Sequence, residues 1–199
     1  MSVIDSRTLN RAERRRLHTR DLLLEAASAV LAESGYQTLT IKAITDRADV
    51  GYGTFYLHFA DKDDIVWEVI HTTVENYLTS VEPEILKYPS PEREYQSWIR
   101  TFEFAEQARD GIVSMLGRNG SATLLQRYQD YLAALYERNL RDGRYTSGLN
   151  LPPTFLAQFA TGGLIRLLIW WLETPNDYTP KQMAAMLYEA VYRQPALEG

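Results

Sequence analysis

Between Thr40 and Lys62 the chain reads TIKAITDRADVGYGTFYLHFADK, and Tyr52, Thr54, Tyr56 and His58 stand within it as a row of hydrogen-bonding side chains. Hydroxyls and an imidazole so placed, with Lys42 and Lys62 at the margins, can donate to phosphate oxygens or meet the edges of bases. No set of comparable density points to catalysis. The three histidines, His18, His58 and His71, fall at no metal-binding spacing. With no cysteine there is no disulfide, thiolate ligand or thiol nucleophile, which suits a reducing cytoplasm. Gly-x-Ser-x-Gly and phosphate-binding loops are absent, and Gly51-x-Gly53 lacks the strand and third glycine of a dinucleotide fingerprint. No catalytic residue, metal or cofactor is expected.

The elements that must position this row can be read from apolar spacing. Ile41, Ile44 and Ala48 make one helical face, Asp49-Val50-Gly51 interrupts it after two turns, and Val50, Phe55 and Phe59 supply a second short face. A short helix pinned by inward aromatics and carrying donors outward is the geometry of a helix-turn-helix whose second helix enters the DNA major groove. The net charge of −5 does not argue against this, because six arginines (Arg7, Arg11, Arg14, Arg15, Arg16 and Arg20) face one glutamate within residues 7–20. A local basic footprint, here read as an arm that reaches phosphates or the adjacent minor groove, is what displaces counterions.

These residues and their flanks resemble the N-terminal domain of the tetracycline-repressor (TetR) family of bacterial transcription regulators. Ser34-Gly35-Tyr36 matches the end of the family's first helix, and Thr40-Ile41-Lys42-Ala43-Ile44 the start of its second. Val50, Gly53, Thr54, Phe55, Tyr56, His58, Phe59 and Lys62 match its recognition segment. The resemblance covers about the first third of the chain. It implies that Thr54, Tyr56, His58 and Lys62 hold phosphates, and the basic run adds Arg16 and Arg20 as candidate DNA contacts. The resemblance also implies that Thr40 caps the second helix and that Gly53 belongs to the DNA-binding set, with Lys42 and Tyr52 placed to read bases. Asp49 stands where the family usually has glycine, Thr45 where it has alanine, and Tyr52 where it has a small or basic residue. Asp reaches the left-handed turn conformation at a cost of roughly 1–2 kcal/mol.

The remainder reads as helices only. Leu23, Ala26, Ala27, Val30 and Leu31 stripe the first helix, and Val66, Ile70, Val74, Tyr77 and Val81 stripe a fourth, capped by Asp61. Tyr88-Pro-Ser-Pro91 marks a break, with Ser90 as N-cap and Pro91 opening the next helix through Trp98 and Phe102. A short helix is expected around Ile112–Leu116, then a longer one stopped by Asp142-Gly143, and a loop over 144–151. The longest apolar run, Leu164 to Leu172, is interrupted by Arg166 and too short to span a bilayer. No signal peptide is visible. The expected fold is all-α: a helix-turn-helix domain with its arm over residues 1–62, and a helical ligand-binding and dimerisation domain over 63–199.

Phe155 to Trp171 is apolar on nearly every face and carries Gly162-Gly163 in its middle, so close approach of a second backbone is expected there. Thr179-Pro-Lys-Gln182 is a capping box opening a last helix. Phe159, Gly162, Gly163 and Arg166 with Met183, Met186, Leu187 and Ala190 are therefore candidates for a two-fold four-helix interface, as the resemblance implies. Aromatic density between residues 95 and 171 fits either a packed core or an effector cavity; the resemblance implies the cavity, with Trp98, Phe102, Tyr128 and Tyr131 as its candidate lining and Met115 as a pliable lid. The expected function is a dimeric, ligand-responsive repressor of transcription that binds a palindromic operator. A regulator without a small ligand, an activator, or a helical enzyme or carrier for a lipophilic molecule remain open alternatives.

Overall fold

The computed structural model describes residues 10–146 and 150–192; Arg7 lies outside them, as does the centre of the loop expected over 144–151. Among the described residues the regular elements are helices alone: α1 Arg11–Thr38, α2 Ile41–Arg47, α3 Tyr52–Phe55, α4 Lys62–Ile85, α5 Glu92–Gln107, α6 Arg109–Leu116, α7 Ala122–Arg141, α8 Pro153–Glu173 and α9 Pro180–Tyr192. They form two compact units divided between Thr73 and Val74, inside α4, rather than after Lys62. The boundary falls later because Ile65, Val66 and Ile70 on the first turns of α4 are buried.

In the first unit, α1 starts at a complete capping box. The Glu13 N–H donates to Asn10 Oδ1 at 2.9 Å, and the Asn10 N–H donates to the Glu13 carboxylate at 2.8 Å. From Arg11 onward the basic run is therefore helix rather than an arm. Gly35, at φ 74°, breaks the helix where the sequence placed its end. Leu23, Ala27, Ile44, Phe55, Phe59 and Ile65 fill the core. The Tyr36 hydroxyl donates to Asp63 at 2.5 Å, which ties the end of α1 to the start of α4. Asp61 caps α4 as expected, accepting from the Asp64 N–H at 2.8 Å.

In the second unit α5 packs along α9, α7 packs along α8, and α6 fits between α7 and α8. The core cluster holds Phe102, Trp171, Leu172 and Met183, with Phe102 and Trp171 edge-on at 5.5 Å. The Trp171 indole N–H donates to the Tyr178 carbonyl at 2.9 Å, so its polar edge is satisfied. Gly120 is required where it stands, because a Cβ there would lie 2.2 Å from the Met115 carbonyl oxygen. α8 runs 21 residues and is apolar enough by length and composition to cross a bilayer, more than its Leu164–Leu172 run suggested. Leu156, Ile165, Leu168, Trp171 and Leu172 are nonetheless buried within the unit. The capping box at Thr179 is present, with Thr179 N–H to Gln182 Oε1 at 2.8 Å and Gln182 N–H to Thr179 Oγ1 at 3.3 Å. Ser90 does not cap α5, whose N-cap is Pro91. Its hydroxyl donates instead to Glu94 at 2.6 Å, a stronger acceptor than water.

Candidate nucleic-acid interface

Thr40 opens α2, its Oγ1 accepting from the Ala43 N–H at 3.1 Å. Thr45 is buried, with its hydroxyl turned back onto the Lys42 carbonyl at 3.1 Å, so the departure from alanine is accommodated inside the helix. Asp49 takes φ 52°, the left-handed conformation the turn demands. The Val50 N–H returns to the Thr45 carbonyl at 3.1 Å and closes the turn. α3 is a single turn. Its continuation tightens instead: His58 and Phe59 N–H groups both donate to the Phe55 carbonyl, at 2.9 and 3.0 Å. Phe55 and Phe59, buried and 5.7 Å apart, hold this segment from beneath.

Above those rings the outward side chains gather. Tyr52 and Tyr56 are exposed, their hydroxyls 3.2 Å apart and their rings edge-on at 5.6 Å. The hydrogen bond to Tyr52, followed by burial, raises the Tyr56 phenol above its ordinary value. Gly53 is open, with nothing within 4 Å of where a Cβ would stand, so a ligand can approach the backbone there. Thr54 is half-buried beside it. Partial burial, and then the guanidinium charges of Arg16 and Arg20, lower the His58 pKa below the usual 6.5. Its imidazole is thereby kept neutral at pH 7 and still offers one N–H.

The cations expected at this surface are partly engaged. Lys42 pairs with Asp46 at 2.5 Å on the exposed face of α2. Arg20 pairs with Glu68 at 2.9 Å and lies 5.1 Å over the Phe59 ring. Lys62 donates to the Tyr36 carbonyl at 3.2 Å with its ammonium 4.0 Å from that ring's centre. Such exposed pairs are worth at most about 1 kcal/mol and exchange readily for a phosphate. Arg16 is exposed on α1. Sequence reasoning passed over Leu57, the most exposed large apolar side chain among the described residues of this unit. A leucine midway between the two inward-spaced rings of Phe55 and Phe59 was a usable signal.

The residues expected to line an effector cavity stand on three helices of the second unit. Trp98 and Phe102 are on α5, Met115 on α6, and Tyr128 and Tyr131 on α7. Phe102 is core, and Trp98 packs half-buried against that core. Burial alone pushes the Tyr128 phenol up to about 12. The Tyr131 hydroxyl donates to Glu75 on α4, and burial, then this bond, raises its pKa. None of the five lines the open groove of about 190 Å³ formed by Tyr77, Ser80, Val81, Arg100, Glu103 and Phe104. Glu94 was missed altogether. It is 2% exposed and accepts on Oε1 from Ser90 and from the Thr146 N–H at 2.8 Å, while Oε2 is buried without a partner.

Of the residues expected at a subunit interface, Phe159 is 73% exposed and stacks parallel to Phe155 at 6.4 Å. Gly162 and Gly163 meet nothing within 4 Å, and Arg166, Met186 and Ala190 are exposed. Met183 has to be withdrawn from that set: it is 0% exposed and belongs to the core of its own unit. Leu187 is half-buried against the same core. Its heptad neighbours pointed both ways, since one apolar stripe on α9 serves two neighbours.

The description "Bacterial regulatory proteins, tetR family" matches residues 23–69, and "Transcriptional regulator C-terminal region" matches residues 92–193. The chain belongs to the TetR family. It is a DNA-binding transcriptional regulator, with the helix-turn-helix in α2 and α3. A fatty acid metabolism regulator protein of Bacillus subtilis is 28% identical over 131 residues, covering 64% of this chain and 66% of that protein. The chain thus spans just under two thirds of that relative. Thermus thermophilus FadR, solved with lauroyl-CoA, superposes with a TM-score of 0.71 at 14% identity, over 90% of this chain and 99% of that one. RolR, solved with resorcinol, gives 0.67 at 23% identity over 90% of each chain. At those identities the two structures speak to the fold, which they share with this TetR-family chain.

Proposed function

We propose that this regulator is a cytoplasmic homodimeric repressor that reads a palindromic operator and leaves it when a small aromatic or lipophilic effector binds the second unit. The observation that carries the reading is the row on α3 and the turn that follows it, Tyr52, Gly53, Thr54, Tyr56 and His58, displayed over the buried Phe55 and Phe59. Thr54, Tyr56, His58, Lys62, Arg16 and Arg20 hold phosphates, whereas Lys42 and Tyr52 reach base edges. The exposed Phe155–Phe159 stack and the bare Gly162-Gly163 face of α8 support a second copy as the interface partner. The phenols and indole on α5 and α7 support an effector with an apolar body, and two fold relatives were solved with lauroyl-CoA and with resorcinol. The effector acts by preferring one position of α4, with a coupling of about 1–3 kcal/mol.

The test is to select bound duplexes from a random pool with the full-length protein, then titrate Tyr56→Phe and Lys42→Ala against single-base variants of the winner. Tyr56→Phe is expected to weaken all sequences alike, and Lys42→Ala to relax preference at one position by roughly 1–3 kcal/mol. If both leave affinity and preference untouched, this docking is wrong. Adding lauroyl-CoA or resorcinol to the complex tests the effector, with release about 5- to 150-fold easier as the expected result.

A further inference from the structure

Leu57 follows α3 directly and is 70% exposed, yet its backbone is fixed. Its N–H donates to the Thr54 carbonyl at 3.2 Å, and its neighbours two residues away on each side, Phe55 and Phe59, are buried in the core of the first unit. The side chain is therefore displayed at a defined place. The same short segment carries Tyr52, 54% exposed, and Tyr56, 50% exposed, whose hydroxyls are bonded to each other, and the open backbone of Gly53. This surface is continuous with the helix-turn-helix.

A leucine can neither donate to a phosphate nor accept from a base amine. On the major-groove edge of B-DNA the one apolar feature that differs among bases is the 5-methyl group of thymine. We infer that Leu57 is a specificity-determining residue that packs on a thymine methyl in each operator half-site. The inference rests on the docking of α3 in the major groove. It adds to that docking a base preference that the hydrogen-bonding row cannot supply. Leu57 follows Tyr56, which holds a phosphate in that docking, so the methyl it reads belongs to a base near that phosphate. Its removal from water on binding favours thymine over every base lacking the methyl.

The experiment uses the full-length protein and the duplex selected from a random pool. Each thymine is replaced in turn by deoxyuridine, which removes the methyl and leaves every hydrogen-bonding group in place. Wild type is expected to lose about fourfold in affinity at one symmetric position per half-site, and about fifteenfold when both half-sites are changed, the worth of burying one methyl-sized group in each. Leu57→Ala should bind the thymine duplex as wild type binds the deoxyuridine duplex, and should be indifferent to the replacement. Leu57→Met should retain the discrimination. Because the side chain is exposed, Leu57→Ala should melt with wild type, which separates a lost contact from a lost fold. A deoxyuridine scan without effect overturns the inference while leaving DNA binding standing. So does a thymine preference that persists in Leu57→Ala, because another residue then reads the methyl. A pool from which no duplex is selected overturns both the inference and the docking beneath it.

Discussion

At the scale of the residue, Glu94 and His58 carry electrostatics that no periodicity announces. The Glu94 carboxylate fastens the segment after α7 to the first turn of α5 through one oxygen and leaves the other buried without a hydrogen-bond partner. Glu94→Ala removes the acceptor for both Ser90 and Thr146, and is expected to cost about 1–3 kcal/mol in urea denaturation. Glu94→Gln keeps an acceptor for both, so it should cost clearly less. Equal losses would mean that the carboxylate itself is required. For His58 the folded pKa lies below 6.5 because burial, then Arg16 and Arg20, disfavour the imidazolium. The unfolded chain then binds a proton that the native state refuses. Stability from this group is complete above pH 6.5 and is lost as pH falls below it. The urea midpoint of wild type should therefore fall more between pH 7 and 5.5 than that of His58→Gln. Parallel profiles would contradict the assignment. The row from Tyr52 to His58 was legible because residue type and spacing alone defined it. Glu94 was not, because its burial depends on Ser90 and on Thr146, 52 positions further along the chain.

At the scale of the element, what could be read were the local devices. Thr40, Asp61 and the Thr179–Gln182 box cap α2, α4 and α9 as their sequence positions required. Asp49 adopts the left-handed turn. Each rests on groups within a few residues of one another. The short α3 traces to contacts from outside the element, since it stops after one turn as Phe55 and Phe59 seat in the core. The start of α1 at Arg11 belongs with the local devices, because Asn10 and Glu13, three residues apart, close a box. Met183 was misplaced because an apolar stripe says that a face is covered and not by what. Thr40→Ala should lower unfolding free energy by about 0.5–2 kcal/mol, as loss of an N-cap does. Asp49→Gly should raise it by up to about 1 kcal/mol, the strain relieved less the added freedom of the unfolded glycine. Urea melts of the two variants read both signs, and a destabilised Asp49→Gly would show that the aspartate contributes more than backbone strain.

At the scale of the whole molecule, the proposal requires two copies. One apolar face of α8, with Phe155, Phe159, Trp170 and two glycines turned outward, is a large exposure for a chain left alone. Gly163→Leu should wedge the two backbones apart, so that sedimentation finds a monomer where wild type is a dimer at micromolar concentration. The most direct measurement of the central claim is the stoichiometry and salt dependence of the full-length protein on its selected duplex, by sedimentation and anisotropy at several salt concentrations. Two recognition helices one DNA turn apart, roughly 34–36 Å, or a small multiple, demand a palindromic site. The account expects two chains, or a multiple of two, per palindrome and far weaker binding to a single half-site. It also expects log affinity to fall linearly with log salt, with a slope of about −0.9 per phosphate held. One chain per duplex with equal affinity for half-site and palindrome, or affinity indifferent to sequence, would contradict it.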